Sequence, residues 1–168
     1  ILLIIQRSNG DVLLSQTLIN KIFEAYKSPQ IDILVNDDTV PVAKMLSNIN
    51  CIHQFSYDKK KRNRWRQEKI LISALFKKYD LSINLTASDR SVLYSLISGK
   101  KSISAVEINN KKSWWKKILL SNYYIFDNNK HILRNNLEPL NLLNIKYDLL
   151  QDSPIASNKV IDRIHNKL

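Results

Sequence analysis

The residue of this chain with the plainest chemical potential is Asp11. It follows Gly10, one of only two glycines in 168 residues, and the pair stands between an apolar run at residues 1–5 and an amphipathic stretch. Where glycine is this rare, each one is expected at a backbone position that tolerates little else. A strand, a tight turn, a glycine, an acid and a helix in that order put the carboxylate at the C-terminal edge of a parallel sheet, where open α/β folds bind their ligands. Two roles are open to it. It can cap a helix N-terminus, accepting from orphan amides, or it can act as a general base. One side chain can do both, although hydrogen bonds to a carboxylate favour its ionised form and weaken it as a base.

The second chemical feature is a basic block, Lys59-Lys60-Lys61-Arg62-Asn63-Arg64-Trp65-Arg66, followed by Lys69 and opposed only by Asp58 and Glu68. Such a block is either a solvated helix start or a seat for an anionic partner: nucleic acid, a phospholipid surface or a phosphorylated small molecule. Guanidinium groups interleaved with Trp65 suit bidentate phosphate recognition better than a plain lysine run. Lys111-Lys112-Ser113-Trp114-Trp115-Lys116-Lys117 is a weaker version, whose tryptophans serve equally as core anchors or ligand contacts. The formal charge of +11 is shared over a chain rich in Lys, Asn and Ile, so part of it reflects composition rather than function.

Composition excludes several classes. A single cysteine, Cys51, rules out an internal disulfide and any multi-cysteine zinc site. His53, His131 and His165 show no ligand spacing, so no structural metal is expected. No apolar run approaches the roughly 20 residues of a bilayer span, and a soluble protein is expected. A length of 168 residues with 44% hydrophobic content supports one ordinary core plus a short appendage.

The elements that must position these residues alternate between two periods. Residues 1–5 read as a buried parallel strand, and residues 12–26 as a helix with Leu14, Leu18, Ile22 and Ala25 on one stripe. Strands follow at 31–35, 51–55, 81–85 and 102–106. Between them lie a short helix at 40–46, a helix after the basic block with Ile70, Leu71, Ala74 and Leu75 as its apolar face, and a helix capped by Ser88 or Asp89. Gly99 falls where a left-handed C-terminal cap belongs. Beyond these, 111–120 reads as a short basic helix, 123–126 as extended, and 130–143 as a helix that Pro139 should kink or divide. Gln151-Asp152-Ser153-Pro154 reads as a linker, and Ser157 caps a terminal helix with nothing following to bury it, as if a second domain were about to begin. Strand and helix alternation with short connections means a doubly wound parallel sheet, Rossmann-like, with right-handed crossovers.

Taken in order, these segments resemble the lipopolysaccharide heptosyltransferases, glycosyltransferase family nine. The resemblance lies in Arg7-Ser8-Asn9-Gly10-Asp11-Val12-Leu13-Leu14, in Ile31-Asp32-Ile33-Leu34-Val35, in Tyr79-Asp80-Leu81 with Asn84-Leu85-Thr86, in Arg90-Ser91 leading to Leu96-Ile97-Ser98-Gly99, and in His131 ahead of residues 137–145. The Asn84-Leu85-Thr86 version is most similar to the heptosyltransferase III branch. The resemblance implies a GT-B enzyme of which residues 1–150 are the acceptor-binding domain, with 151–168 leading to a C-terminal donor-binding domain. It implies inverting transfer of heptose from ADP-heptose to the phosphorylated inner core, with Asp11 as base. It implies acceptor contacts from Gly10, Arg62, Arg64, Arg66, Thr86 and Arg90, no metal and no cofactor beyond the donor, a cytoplasmic location and transient contact with the inner membrane, and no nucleic acid. The chain departs from the family in having Ile5 where a basic residue is usual and Ser88 where glycine is frequent.

Two rivals belong to other classes. A nucleic-acid-binding module would need one continuous basic face, whereas the lysines are spread over every segment. A dinucleotide-binding Rossmann-like domain would need three glycines in the first turn, where this chain has one.

Overall fold

The computed structural model describes residues 1–108 and 113–148, without the side chains of 59–62 and 64. Its centre is β1, Leu2–Ile5, in which all four side chains are fully buried. A strand apolar on both faces has to be covered on both, and the sheet supplies this with six parallel strands in the order β3-β2-β1-β4-β5-β6. The remaining strands are β2 (Asp32–Asn36), β3 (Cys51–Phe55), β4 (Tyr79–Asn84), β5 (Gly99–Glu107) and β6 (Asn122–Phe126).

The helices divide between the faces as the crossovers require. On one face α1 (Asn9–Leu13), α2 (Gln16–Ala25), α3 (Val40–Ala43) and α7 (Ile132–Leu142) enclose a core of Leu3, Ile5, Val12, Leu18, Ile22, Ile33, Val35 and Leu137. On the other, α4 (Tyr57–Leu75), α5 (Asp89–Ser98) and α6 (Trp114–Leu119) cover Leu2, Ile4, Leu34 and Phe55 through Leu71, Leu75 and Tyr94, and Val106 through Val92 and Leu120. The connection after β1 thus leaves toward one face and the connection after β4 toward the other. The β1/β4 boundary is therefore the switch point of the sheet, where a crevice opens at the carboxyl edge.

Several elements depart from the sequence reading. The helix expected over 12–26 is two helices, because the Ser15 hydroxyl donates to the Val12 carbonyl at 2.6 Å and the backbone tightens there, Ser15 N reaching Val12 O at 3.2 Å. Gly99 is not a left-handed cap: its backbone is extended (φ −108°, ψ 147°) and it opens β5. Its want of a side chain is steric, since a Cβ would stand 2.7 Å from Lys101 O and 2.8 Å from Ser82 N. Gly10 is the reverse case. It lies inside α1 without a positive φ, and a Cβ there would meet nothing nearer than Ser8 Oγ at 3.9 Å.

In α4 the buried stripe is Gln67, Leu71 and Leu75, while Ile70 is turned outward; the backbone leaves helical values at Asn63 (φ −152°, ψ 61°). Pro139 sits within α7 without dividing it, with Leu133, Leu137 and Leu140 all in the core. Of the two tryptophans left open between core anchor and ligand contact, Trp115 packs near Val106 and Trp114 is exposed. The proposed linker and terminal helix at 151–168 lie outside the described residues.

Candidate functional site

Asp11 stands just beyond the carboxyl end of β1, but it is not an N-cap. Ser8 caps α1, its backbone extended (φ −69°, ψ 165°), and Asp11 is the third helical residue of a capping box. The box concentrates its donors on one oxygen. Asp11 Oδ2 accepts from Ser8 N at 3.3 Å, from Ser8 Oγ at 3.1 Å and from Arg7 Nε at 3.0 Å. Oδ1 accepts no hydrogen bond among the described residues, and the side chain remains 15% exposed. Such a carboxylate is fixed in orientation by one oxygen and offers the other.

Arg7 is itself held. Its guanidinium lies over the Phe126 ring, 4.3 Å from the centroid, at the end of β6. From α7, the buried Asn136 Nδ2 donates to the Asp11 carbonyl at 3.3 Å. The carboxylate is thus located by residues from three distant parts of the chain.

Across the switch point a second polar group gathers on the opposite face of the sheet. Gln6 continues β1, Asn36 ends β2 and Phe55 ends β3, in register with Asn36. Arg90, in the first turn of α5, lies 3.7 Å above the Phe55 ring and donates to Tyr57 OH at 3.0 Å. Gln6 Nε2 and Oε1, Asn36 Oδ1 and Arg90 Nε are all buried without a hydrogen-bond partner among the described residues. An unmet buried polar atom costs about 1–3 kcal/mol, and such atoms gathered at one sheet edge mark a place built for something other than stability.

Thr86 ties the two sides together, because its Oγ1 accepts from Gln6 N at 3.0 Å. The Asn84-Leu85-Thr86 turn is set by the Asn84 amide, which donates to Thr86 O at 2.6 Å and accepts from Thr86 N at 3.0 Å. Behind it the buried Lys116 donates to Ala87 O at 2.6 Å and pairs with Asp89 at 2.7 Å. A lysine from the weaker basic patch therefore supports the loop at the switch point and is not a free cation.

Among the remaining expected site residues, Gly10 is exposed beside Asp11. Arg66 is exposed on α4 and lines a groove of about 450 Å³ with Gln54, Asn63, Gln67, Ile70 and Leu71. Arg62 and Arg64 belong to α4, and their side chains lie outside the described ones. Sequence reasoning did not single out Gln6, Arg7, Asn36, Phe126 or Asn136. Only Arg7, four residues before Asp11, carried a local signal of pairing.

A roomier cavity, about 990 Å³, lies at the opposite, amino edge, lined by Asp32, Asn50, Lys78 and Tyr79 among others. There Asp32, Cys51 and His53 bring possible metal-ligand atoms within 4.8 Å of one another, a cluster that sequence spacing did not reveal. Its hydrogen bonds are already closed. Asp32 accepts from Asn50 at 2.8 Å and from Tyr79 OH at 2.7 Å. Because the one hydroxyl proton of Tyr79 goes to Asp32, His53 must present Nε2–H to the Tyr79 oxygen, 3.0 Å away. Burial pushes the Asp32 carboxyl up, but the bonds from Asn50 and Tyr79, with Lys78 and His53 nearby, outweigh it and hold it below its ordinary range. Burial pushes His53 down, only partly offset by Asp32. The result is an ionised acid beside a neutral imidazole whose Nε2 is engaged, which reads as a structural network.

No family model matches the chain. It is 30% identical over 118 residues to Lipopolysaccharide heptosyltransferase 3 of Escherichia coli, an alignment covering 66% of this chain and 34% of that protein. Among solved structures it is similar to the E. coli heptosyltransferase WaaC with ADP-2-deoxy-2-fluoro heptose (TM-score 0.70, 12% identity, 88% of this chain and 49% of that one). It is also similar to a family 9 glycosyl transferase from Veillonella parvula (TM-score 0.68, 17% identity, 86% and 41%). The sheet therefore matches one half of a GT-B heptosyltransferase, and the chain spans about a third of the curated relative's length. The order of the motifs, the switch-point site and these likenesses converge: the chain is similar to the lipopolysaccharide heptosyltransferases, glycosyltransferase family nine, in sequence over 118 residues and in fold over about half of a solved structure.

Proposed function

We propose that the chain is the acceptor half of an enzyme that transfers heptose from ADP-heptose to the phosphorylated inner core of lipopolysaccharide, with inversion, in the manner of the heptosyltransferase 3 it is similar to. The observation that carries this reading is the Asp11 carboxylate at the switch-point edge, fixed through Oδ2 and open at Oδ1. Inversion is a single displacement, so one base suffices: Oδ1 takes the acceptor hydroxyl proton as that oxygen attacks the anomeric carbon and the ADP leaves from the opposite face. The open space beside Gly10 gives the acceptor sugar a path to that oxygen.

The other residues serve recognition. The buried amides of Gln6 and Asn36 suit sugar hydroxyls, which both donate and accept, and the terminal nitrogens of Arg7, with no partner among the described residues, suit an acceptor phosphate. Arg66, with Arg62 and Arg64 on the same helix, would extend the anionic contact along α4, and Thr86 and Arg90 would line the crevice. The donor nucleotide falls to residues outside this domain, which matches a first turn that is already filled. The amino end of α1, where a pyrophosphate would sit in a dinucleotide fold, holds the Asp11 carboxylate instead.

The test is Asp11→Asn in the complete enzyme, assayed with ADP-heptose and core acceptor. Turnover is expected to fall by about 10²-fold or more at near-wild-type melting temperature, since general-base catalysis contributes roughly 10² to 10⁴. Retained turnover would remove Asp11 as the base.

A further inference from the structure

α4 carries two faces, and the fold uses one. Gln67, Leu71 and Leu75 are turned into the sheet. On the outward side Trp65 is 85% exposed, Ile72 41% and Phe76 56%. At 3.6 residues per turn, positions 65, 69, 72 and 76 fall on one line, so these three apolar side chains and Lys69 form a single stripe. The helical turn is intact to its end, with Phe76 N donating to Ile72 O at 2.8 Å. Together with Glu68 and Ser73 the stripe lines a shallow groove of about 570 Å³.

Burying Trp, Ile and Phe would have stabilised the domain, and no element of the described chain covers them. On the same side of the sheet, beyond α5, α6 repeats the composition, with Trp114 and Ile118 exposed and Lys117 between them. Among the described residues the opposite helical layer has no such line, its large exposed apolar residues being Leu13, Tyr26 and Met45 on separate elements.

The charge around the stripe decides what would cover it. Arg66, Lys69 and Lys77 are exposed on or beside α4, Lys77 Nζ standing 5.3 Å from the Phe76 ring, and the helix begins in the basic run Lys59 to Arg62. Its two acids, Asp58 and Glu68, the latter accepting from the Tyr94 hydroxyl, are outnumbered by these cations. A second copy of a +11 chain would meet like charge, and nucleic acid offers no apolar phase for Trp65, Ile72 and Phe76. Aromatic and branched side chains lined up among lysines and arginines are the composition of a helix lying at a bilayer surface.

We infer that the outer face of α4, through Trp65, Ile72 and Phe76 with Lys69 and Lys77, docks the domain onto an anionic phospholipid bilayer. This agrees with the reading of a lipid-anchored acceptor but stands on its own observations. The amino end of α4 reaches the switch-point edge through Tyr57, which receives the Arg90 hydrogen bond, so a bilayer on this face lies beside the site.

The experiment uses the full chain and co-sedimentation with phosphatidylcholine vesicles, with and without phosphatidylglycerol, in the absence of any lipopolysaccharide. The wild-type protein is expected to bind the anionic vesicles at least about tenfold more tightly than the neutral ones, and Trp65→Ser/Ile72→Ser/Phe76→Ser to lose at least about tenfold. Lys69→Glu/Lys77→Glu, which leaves the apolar groups in place, is expected to lose a similar factor. Failure of the wild type to bind, unchanged binding by both variants, or a wild-type dimer that the serine variant dissolves would overturn the assignment. Transfer to a deacylated, water-soluble core acceptor reads the site separately, and the serine variant is expected to keep it.

Discussion

Asn136 Nδ2 lies 3.3 Å from the backbone carbonyl of Asp11, a hydrogen bond that spans 125 residues. It links α7, which follows β6 and packs on the same face as α1 and α2, to the helix that carries the candidate base. The segment after the last strand thereby sets the position of a side chain attached to the first.

Removing that link should act on position more than on chemistry. Asn136→Ala leaves the Asp11 side chain chemically intact but frees its helix to shift, and a neutral hydrogen bond contributes about 0.5–1.5 kcal/mol. In the complete enzyme kcat is expected to fall by about tenfold with the acceptor KM little changed, because misplacing a reacting group costs rate steeply. Steady-state kinetics on the variant check this, and a pure KM effect would contradict it.

Arg7 has two separable roles, holding Asp11 Oδ2 through Nε and offering its terminal nitrogens outward. Arg7→Lys keeps the charge but cannot present the same planar fork over Phe126. The lysine variant is expected to raise the acceptor KM by about tenfold, a charged contact being worth about 1.5–3 kcal/mol. With a deacylated core acceptor stripped of phosphate the two proteins should show the same acceptor KM.

The two glycines should respond in opposite ways to alanine. Gly99→Ala drives a Cβ against the backbone of Lys101 and Ser82 and is expected to cost about 1–3 kcal/mol, read as a lowered denaturation midpoint. Gly10→Ala meets open space inside a helix, so stability should hold or rise by up to about 1 kcal/mol. If the acceptor passes beside Gly10, the same variant raises the acceptor KM.

The amino-edge network predicts a pH dependence. Burial lowers the His53 pKa below its ordinary 6.5, so on acidification the unfolded chain takes up that proton before the folded one does. Stability is therefore complete above about pH 6.5 and falls as the pH drops from there toward the folded pKa. The lowered Asp32 carboxyl contributes above its ordinary 3.8 and is lost only as the pH falls through its still lower folded value. Melting temperatures at pH 7.5 and 5.5 are expected to differ less in His53→Gln than in the wild type, and an equal drop in both would contradict the assignment.

Much of this molecule was determined locally. Residues 1–5 are apolar without interruption, and a strand of that kind has to be central whatever surrounds it. The alternation of period two with period 3.6 then leaves few ways to wind the sheet. Asp11 was legible for the same reason: its place after the first strand follows from chain order alone. What the sequence could not decide depends on contacts between distant segments. The length of the first helix turned on one hydroxyl of Ser15 competing for the Val12 carbonyl. The two glycines looked alike as letters, and only the closeness of Ser82 and Lys101 shows that Gly99 is required while Gly10 has room. Arg7 over Phe126, Asn136 on Asp11 and Gln6 beside Asn36 join residues that no spacing rule connects, because hydrogen bonds and ring contacts are made in space after the sheet has aligned its strand ends.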